Sequence, residues 1–526
     1  MSNFLKITFL LFFISTTVFA DKVIILGNPE EALDARVELI MNAKKTIDMQ
    51  YFVIEHDYIS ITGLSLISEA AKRGVKVRLI VDSLFNLMTR EMMSAFLNNL
   101  DPRAKQNIEI KEYNQFNIFR PFCFTRRMHD KSLIIDGQYL IVGDRNIGSG
   151  YYNIPEFIKG NARPTFQGMD ALISGTKAIS EASNYFEQRW NSKDVKEVRL
   201  YDYSRSQLDY SYCNYKPMAS SDTSCEWQRE QAVKKINLEL EKLNLQYAFI
   251  TGKNSKLIIQ QPVKKALESA YETEDIRFIH DDASTRVCSG KNPNNNIGKT
   301  LYDIISDNTQ KDLLILTPYL TVTLEMEKLI KKLVEEKDVF VQFITNSEKS
   351  SNEASAVAGY LKTRQRLMNI KNAKSGRGVR IYEYTNISNP TLKDGSGAII
   401  RQAKTIDTLH AKVVLMDNKK VFIGSYNWDY RSQNLNSEVG AVIGLEGINA
   451  NDPKDDIQNK LTSILNSVQI VNKDGTKSNE NRLSVVLTDE ETEKIDAEFA
   501  ARKDATKLWQ HLLKIPLLGN WLLNQI

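Results

Sequence analysis

The sequence predicts an α/β fold built from two pseudo-symmetric halves, each a mixed β-sheet flanked by helices, that face one shared cleft. Three observations lead to this prediction. The chain of 526 residues is too long for a single hydrophobic core. An alternation of strand, helix and strand occurs twice, and a spaced pattern of His, Lys, Asp, Gly and Asn also occurs twice.

The strand–helix–strand units have nearly equal size in the two halves. In each unit, alternating or continuous apolar runs indicate the strands, and a helical apolar period indicates the segment between them. The predicted elements are strand 46–54, helix 61–72 and strand 75–82 in the first half, and strand 312–320, helix 323–336 and strand 339–345 in the second. Strands alternating with helices favour a sheet rich in parallel pairs, with helices on both faces.

The repeated motif holds five residue types at identical spacing. Counting from the histidine, Lys stands at +2, Asp at +7, Gly at +14 and Asn at +17. The two copies are His129, Lys131, Asp136, Gly143 and Asn146, and His410, Lys412, Asp417, Gly424 and Asn427. The chain has only five histidines, so chance is a poor explanation for two of them opening the same pattern.

Each motif is typical of a β-hairpin. Apolar runs at 131–135 and 412–416 are followed by turn residues and by returning strands at 138–142 and 421–423. Alternation along a strand places the His and the Lys of each pair on one face. Asp136 and Asp417 stand at turn positions and are expected to be structural, whereas the glycine that ends each returning strand lets backbone approach a ligand closely.

A lysine two residues from a histidine favours an oxyanion site over a metal site, because the ammonium group repels a metal and offers no lone pair. Lys neutralises a phosphate, Asn donates to its oxygens, and an imidazole attacks phosphorus or protonates a leaving oxygen. With two half-sites, one histidine forms a phosphohistidine while the other acts as acid and then as base. We therefore expect no metal and no other cofactor.

These residues resemble the signature of the phospholipase D superfamily, His-x-Lys-x4-Asp followed by Gly-[Gly/Ser]-x-Asn. The match at 410–427 is complete and includes Ser425, whereas the match at 129–146 departs at Asp144, where the family usually has Gly or Ser. Segments outside the motifs resemble bacterial cardiolipin synthases of the C type, so that the resemblance covers roughly residues 25–445. Among them are Asp48-Met-Gln50-Tyr51, Thr317-Pro-Tyr319 and Asp429-Tyr-Arg431-Ser432.

The resemblance implies phospholipase D-like halves and a set of site residues. The two His/Lys pairs would be catalytic, and Asn146, Asn427 and Ser425 would bind phosphate. By analogy, Glu438 would orient the imidazole of His410 or His129, and Asp170 would be its counterpart in the first half; the alternative for both carboxylates is an ordinary strand-edge salt bridge. Resemblance to relatives with two motifs favours His129 as the nucleophile and His410 as the acid.

Residues 1–20 are predicted to be a signal peptide. Lys6 supplies the positive start, residues 7–19 the apolar core and Val18-x-Ala20 the cleavage site; retention of the segment as a membrane anchor is the alternative. Export to the periplasm or the medium would place the four cysteines in an oxidising compartment. Cys213 and Cys225 enclose a short segment and are the favoured pair, although three pairings are open.

The predicted organisation continues with a first half at 21–204, a linker with a charged surface helix at 205–275, and a second half at 276–446. Residues 447–526 form a helical tail that either lies at a membrane interface or closes over the protein's own core. A polar insertion at 386–405, shortly before His410, either covers the cleft mouth or is a solvated connection.

Composition and motif number together favour a lipid enzyme. A net charge of +4 gives no strong footprint for nucleic acid, so no nucleic-acid partner is expected. Two motifs in one chain fit an enzyme that is active as a monomer on phospholipids at a membrane surface. The leading hypothesis is cardiolipin synthase-like phosphatidyl transfer. The alternatives are a secreted hydrolase that releases phosphatidic acid and, less favoured, a phosphodiesterase acting on nucleic acid.

Overall fold

The computed structural model describes residues 20–198, 263–283 and 296–446, parts of 457–470, and residues 506–507. Short gaps within these ranges fall at 89, 99, 120–122, 124, 155–156, 159–160, 269 and 394–398. The predicted signal peptide, apart from Ala20, the predicted charged helix at 226–242 and most of the C-terminal tail lie outside the described residues.

The first half is a nine-stranded sheet with helices α1 (Pro29–Asn42), α2 (Tyr58–Lys72), α3 (Arg90–Asn98), α4 (Pro102–Lys105), α5 (Lys177–Trp190) and α6 (Val263–Glu268). Its strand order is β11-β4-β3-β2-β5-β6-β10-β1-β12. In chain order the strands of this half, including three that lie outside the sheet, are β1 (Asp21–Leu26), β2 (Thr46–Tyr51), β3 (Lys76–Asp82), β4 (Ile108–Tyr113), β5 (Lys131–Ile135), β6 (Tyr139–Gly143), β7 (Phe157–Ile158), β8 (Asn161–Ala162), β9 (Thr165–Gln167), β10 (Asp170–Ser174), β11 (Val195–Glu197) and β12 (Tyr271–Thr273).

The second half is an eight-stranded sheet with helices α7 (Ile297–Asn308), α8 (Leu324–Lys331), α9 (Ala354–Met368) and α10 (Tyr430–Asn434). A single π-helical stretch at Lys332–Glu336 extends α8. The sheet order is β13-β23-β22-β21-β14-β15-β16-β24. The strands are β13 (Ile276–His280), β14 (Asp312–Leu316), β15 (Phe340–Asn346), β16 (Val379–Tyr384), β17 (Asn386–Ser388), β18 (Thr391–Lys393), β19 (Ile399–Gln402), β20 (Thr405–Leu409), β21 (Val413–Met416), β22 (Lys420–Gly424), β23 (Val439–Gly444) and β24 (Val468–Ile470).

The predicted repeat is confirmed. Strands β2, β3 and β4 pair in parallel, as do β14, β15 and β16. Each parallel group is followed by a hairpin that carries one motif, β5–β6 in the first half and β21–β22 in the second, and the first strand of each hairpin pairs antiparallel with the group. Each sheet is therefore mixed, with its His/Lys hairpin in the interior of the strand order.

Three apolar layers cover the two sheets. One layer lies between the halves and takes side chains from both, for example Ile134 of β5 and Val413 of β21. Each of the other two covers the far face of one sheet, with Leu133 in the first half and Val414 in the second. Because both faces of each hairpin are covered, its strands are almost continuously apolar, as the sequence shows.

A short three-stranded sheet joins the halves directly. Strand β9 of the first half pairs in parallel with β20 of the second, which in turn pairs with β17. Most of the described part of the polar insertion at 386–405 forms β17 to β20, which pair with one another, and the choice between a cover for the cleft mouth and a solvated connection stays open. Strand β20 runs straight into His410 and places it against the first half.

Two predicted boundaries are also refined. The end of the predicted linker holds α6 and β12, and β12 extends the first sheet by pairing with β1. The second sheet continues beyond residue 446, because β24 pairs with β16.

Candidate active site

Each motif hairpin is anchored by the aspartate of its own motif. Asp136 accepts hydrogen bonds from the backbone N–H groups of residues 44, 45 and 46, and Asp417 accepts them from residues 310, 311 and 312. Both aspartates have a positive φ, 55° and 50°, at the tight turn. These contacts support the prediction that both residues are structural, because each one fixes its hairpin to the start of the neighbouring strand.

His129 makes hydrogen bonds with residues of the second half. Its backbone N–H donates to the carbonyl of Ser437 at 2.9 Å, and its Nδ1 lies 2.8 Å from Oε2 of Glu438. Glu438 also accepts hydrogen bonds from the hydroxyls of Ser425 at 2.5 Å and Ser432 at 2.7 Å. With Nδ1–H donated to a carboxylate that is held in this way, Nε2 keeps the lone pair that a nucleophile needs.

His410 likewise makes hydrogen bonds with residues of the first half. Its backbone N–H donates to the carbonyl of Gln167 at 2.8 Å, and its Nδ1 lies 3.1 Å from Oδ1 of Asp144. Asp144 also accepts from the backbone N–H of Met169 at 2.7 Å. The residue that departs from the family pattern therefore supplies the carboxylate of the second histidine.

Asp170 does not have the predicted role. Its carboxylate pairs with the guanidinium groups of Arg36 at 2.9 Å and Arg145 at 3.1 Å, and it accepts from the backbone N–H groups of residues 144 and 145. Burial opposes its ionisation, but the two arginines outweigh burial and lower the pKa of Asp170. Asp170 thus fixes the backbone that carries Asp144 and has no contact with either imidazole.

The register of the strands explains why the carboxylates differ. Gly143 pairs with Asp170, and Gly424 pairs with Gly440. Two residues before these partners stand Gly168 in the first half and Glu438 in the second, so Gly168 occupies the place of Glu438. A Cβ on Gly168 would collide with Oδ1 of Asp144. The carboxylate that orients a histidine therefore stands just before β23 in the second half (Glu438), whereas it stands just after β6 in the first half (Asp144).

Two further expectations need correction. Ser425 was expected to bind phosphate, but it is fully buried, donates to Glu438, and accepts from the backbone N–H of Val439. It therefore positions the carboxylate that orients His129. Gly143 and Gly424 allow a close approach as expected, but the approaching atoms belong to the next strand and not to a ligand.

The two lysines are buried beside their histidines. Lys131 Nζ donates to the carbonyl of His129 at 2.7 Å, and Lys412 Nζ donates to the carbonyl of His410 at 2.8 Å. Lys131 and Lys412 are only 2% and 1% exposed. Each hydrogen bond to a carbonyl uses one of the three ammonium protons. Nζ of Lys412 also lies 3.4 Å from Nδ1 and from Nε2 of His410.

Burial and mutual repulsion set the protonation of the site. Burial, together with Lys131 and Lys412, holds the pKa of His129 and His410 well below the ordinary value for histidine. Burial also lowers the pKa of Lys131 to about 7 and of Lys412 to about 8. Both imidazoles are therefore neutral in the free enzyme, and a bound phosphodiester anion would raise the pKa values of the lysines and histidines again.

The two predicted asparagines are both buried but have different surroundings. Asn146 donates from Nδ2 to the hydroxyl of Tyr151 at 2.8 Å and accepts at Oδ1 from the backbone N–H of Val53. Asn427 has a buried Oδ1 without a hydrogen-bond partner. The amide of Asn427 is thus less constrained than that of Asn146, whose orientation is fixed.

Aromatic rings that the sequence reading missed pack against both imidazoles. The ring of Phe52 lies edge-on to His129, with 4.8 Å between centroids. Tyr151 and Phe166 lie edge-on to His410 at 5.2 and 5.6 Å. These rings exclude water from the histidines, which strengthens the electrostatic contacts inside the site. Only the position of Phe52, directly after the buried strand β2, was a signal in the sequence.

The site thus offers two neutral imidazoles, two buried lysines and two amides, with an acidic side chain behind each imidazole. Such a group can transfer a phosphoryl-linked moiety through a covalent histidine, with the second imidazole moving protons. Within the described ranges, no three His, Cys, Asp or Glu side chains are grouped as a metal ion would require.

Comparison with known families is consistent with this geometry. The family model described as "Cardiolipin synthase, PLD-like domain" matches residues 37–190 and 303–453, more than half of the chain and both halves of the fold. The chain belongs to this family. It is therefore a member of the phospholipase D superfamily and an enzyme of phospholipase D type.

Among curated relatives, the chain is 26% identical to cardiolipin synthase C of Escherichia coli K12 over 79% of its own length and 80% of the relative. It is also 26% identical to an uncharacterised protein of Helicobacter pylori 26695 over 80% and 75% of the two lengths. Among solved structures, the phosphatidylserine synthase of Haemophilus influenzae Rd KW20 aligns with a TM-score of 0.52 at 15% identity, covering 93% of this chain and 95% of that one. This structure shares the fold.

Two other features of the chain bear on its surroundings. Cys123 is disulfide-bonded, and the other three cysteines lie outside the described residues, including the predicted pair Cys213 and Cys225. In the part of the chain that the structure describes, no helix has the length and hydropathy needed to cross a bilayer.

Proposed function

We propose that this protein transfers phosphatidyl groups between phospholipids, as a cardiolipin synthase does, through a phosphohistidine intermediate. The observation that carries the proposal is that each histidine is oriented by residues of the opposite half. Each imidazole receives its carboxylate and its backbone partner from the opposite half. Two imidazoles are thereby fixed in one site, each with its Nδ1 held by a carboxylate group, while Nε2 of His410 also lies 3.4 Å from Nζ of Lys412.

In the first step, Nε2 of His129 attacks the phosphorus of a phosphatidyl donor. A bond forms between nitrogen and phosphorus, and the bond to the leaving glycerol oxygen breaks while His410 gives that oxygen a proton, which its imidazole takes up from solvent when the anionic substrate binds. Lys131 and Lys412 hold the non-bridging oxygens, whose negative charge raises the pKa of the nearby imidazoles. The glycerol leaves, and the phosphatidyl group stays on His129.

In the second step, His410, now neutral, removes the proton from the hydroxyl of an acceptor. The acceptor oxygen attacks phosphorus, the nitrogen–phosphorus bond breaks, and His129 is restored. With phosphatidylglycerol as the acceptor, the product is cardiolipin; with water, it is phosphatidic acid. The assignment of attack to His129 agrees with its closer carboxylate, since Glu438 accepts three hydrogen bonds and stabilises the positive charge that develops on the imidazole.

The product decides between these outcomes. Purified protein is incubated in EDTA with vesicles of phosphatidylglycerol and phosphatidylethanolamine, with and without a primary alcohol, and the lipids are resolved. We expect cardiolipin as the product. When the alcohol is present, we also expect the phosphatidyl alcohol in place of any phosphatidic acid. Phosphatidic acid alone would show a hydrolase, and cleavage of an oligonucleotide without any lipid product would overturn the lipid assignment. The matched inactive control is His129→Ala.

We further propose that the protein is exported and works as a monomer at a membrane surface. The leader-like residues 1–20 and the disulfide of Cys123 support export, since disulfides persist in oxidising compartments. The presence of both half-sites in one chain supports the monomer. Fractionation of cells, with the length of the mature chain read by mass spectrometry, tests export and cleavage together.

A further inference from the structure

Exposed apolar side chains gather in two short segments next to the active site. In the described part of the chain, nine large apolar side chains are exposed, and six of them fall in two segments. These six are Leu84, Phe85, Leu87, Phe116, Ile118 and Phe119. We call residues 84–87 and 116–119 the apolar loop pair. Phe119 is 91% exposed and Ile118 71%, so these side chains do not serve the core of the chain.

The two segments lie together at one edge of the first sheet. They follow β3 and β4, which are adjacent and parallel, so both loops leave the carboxyl edge of the sheet. The backbone N–H of Ser83 donates to the carbonyl of Tyr113 at 3.1 Å, and its hydroxyl donates to the carbonyl of Asn114 at 2.6 Å. The loops are therefore joined at their bases and present one continuous surface.

This surface borders the first histidine. The ring of Phe85 lies 4.8 Å from the ring of Phe52, which lies 4.8 Å from the imidazole of His129. Asp82, at the base of the first loop, accepts from the backbone N–H of Met128, the neighbour of His129. The apolar loop pair is thus attached to the site by both ring packing and backbone bonding.

The composition of the apolar loop pair indicates the kind of partner that it binds. The stretches 83–89 and 114–119 contain Leu, Phe, Ile and Met with Asn, Gln, Ser and Thr, and no charged residue. Aromatic and aliphatic side chains among uncharged polar ones suit the boundary between lipid headgroups and acyl chains, where a charge would be costly.

We propose that the apolar loop pair inserts into the interface of a phospholipid bilayer and holds the entrance of the active site against the membrane. A lipid then passes from the bilayer to His129 without its acyl chains crossing water. The inference deepens the proposed function, on which it rests, by naming the surface that meets the substrate. It differs from the predicted interfacial role of the C-terminal tail, which lies almost wholly outside the described residues.

The test separates docking from chemistry. The full chain is prepared as wild type, as the double variant Ile118→Ser with Phe119→Ser, and as Met41→Ser. Met41 is 51% exposed at the end of α1, just before β2 begins, and so marks the opposite edge of the sheet. Each protein is assayed for flotation with phosphatidylglycerol vesicles, for turnover of those vesicles, and for turnover of monomeric dihexanoyl phosphatidylglycerol.

The double variant is expected to lose vesicle binding and vesicle turnover by about tenfold, because it buries less apolar surface in the bilayer. Its turnover of the monomeric lipid should stay within about twofold of wild type, since neither residue touches the site, and Met41→Ser should match wild type throughout. Phe119→Trp should bind as wild type does and gain a tryptophan signal that brominated acyl chains quench.

Unchanged vesicle binding by the double variant would overturn the proposal. Equal loss on both substrates would show that the loops shape the site and do not dock it. A wild-type dimer that the double variant dissociates, with vesicle binding intact, would assign the surface to a second copy. If wild type turned over neither lipid, the proposed function would fail while flotation still decided the docking surface.

Discussion

At the scale of single residues, the two histidines and the two lysines carry the chemistry. Replacing His129 or His410 by alanine should each abolish turnover, because one imidazole cannot serve as both nucleophile and acid. Replacing Lys131 or Lys412 should cost about 3–4 kcal/mol of transition-state stabilisation, the size seen for a lost oxyanion donor. His56→Ala is the matched control, since His56 is exposed. Near-normal kcat in either single histidine variant would refute the two-histidine mechanism.

The position of Asp144 leads to a prediction at Gly168. Because a Cβ at this position collides with the carboxylate of Asp144, Gly168→Ala should reduce kcat by about a hundredfold through misplacement of His410. The double variant Asp144→Ser with Gly168→Glu reproduces the arrangement of Ser425 and Glu438 and should be more active than Asp144→Ser alone. Steady-state kinetics on folded protein, verified by circular dichroism, provide the measurement. Wild-type activity in Gly168→Ala would show that catalysis does not depend on the position of the Asp144 side chain.

The lowered lysine pKa values predict a pH profile. In the free enzyme, Lys131 and Lys412 are charged below about pH 7 and 8 and lose that charge as the pH rises through these values. The profile of kcat/KM, which reports the free enzyme, should therefore fall above about pH 7. The profile of kcat should fall at higher pH, because bound phosphate raises the lysine pKa values. A kcat/KM that keeps rising through both values would contradict this assignment.

At the scale of elements, the two hairpins present their histidines because an aspartate fixes each turn. Asp136 and Asp417 each accept three backbone N–H groups. Asp136→Ala and Asp417→Ala should each lower the free energy of unfolding by about 1–3 kcal/mol, because hydrogen bonds that water only partly replaces are lost and because alanine is strained at a positive φ, while kcat per folded molecule stays near wild type. Urea unfolding and active-site titration give the two quantities. A large loss of kcat with unchanged stability would make these aspartates catalytic.

The hairpins and the parallel strands could be predicted from the sequence because their signals are local. Tight-turn residues, alternating apolar runs and equal spacing placed β5, β6, β21 and β22 to within a residue or two. The same evidence placed both His/Lys pairs in one site. The strands within 386–405 could not be predicted, because they are short and polar and β20 pairs with a strand that is distant in sequence.

Glu438 was predicted to orient an imidazole, but the choice of His129 and the role of Asp144 could not be assigned from the sequence, because the contacts that decide them cross between the halves. Glu438 is separated from His129 by 309 residues, and Asp144 from His410 by 266. Resemblance suggested Asp170 as the counterpart of Glu438, and the register of β6 and β10 shows why this was wrong. Asp170 aligns with Gly440, and Gly168 aligns with Glu438. Only the irregular Asp144 indicated where the missing carboxylate had moved.

At the scale of the whole molecule, the two halves form one composite site. The shared apolar layer, the pairing of β9 with β20 and the two crossed carboxylates all join the same faces. Neither half contains a complete imidazole–carboxylate pair by itself. Activity therefore depends on the docking of the halves, and damage to the interface should affect both histidines together.

The crossed pairing is tested most directly by nitrogen-15 NMR of the histidine side chains. With five histidines in the chain, the signals of His129 and His410 can be assigned from the two alanine variants. Glu438→Gln should shift the Nδ1 signal of His129 and leave that of His410 in place, and Asp144→Asn should do the reverse. If Glu438→Gln instead shifted His410 alone, each half would supply its own carboxylate, and the composite site described above would be wrong.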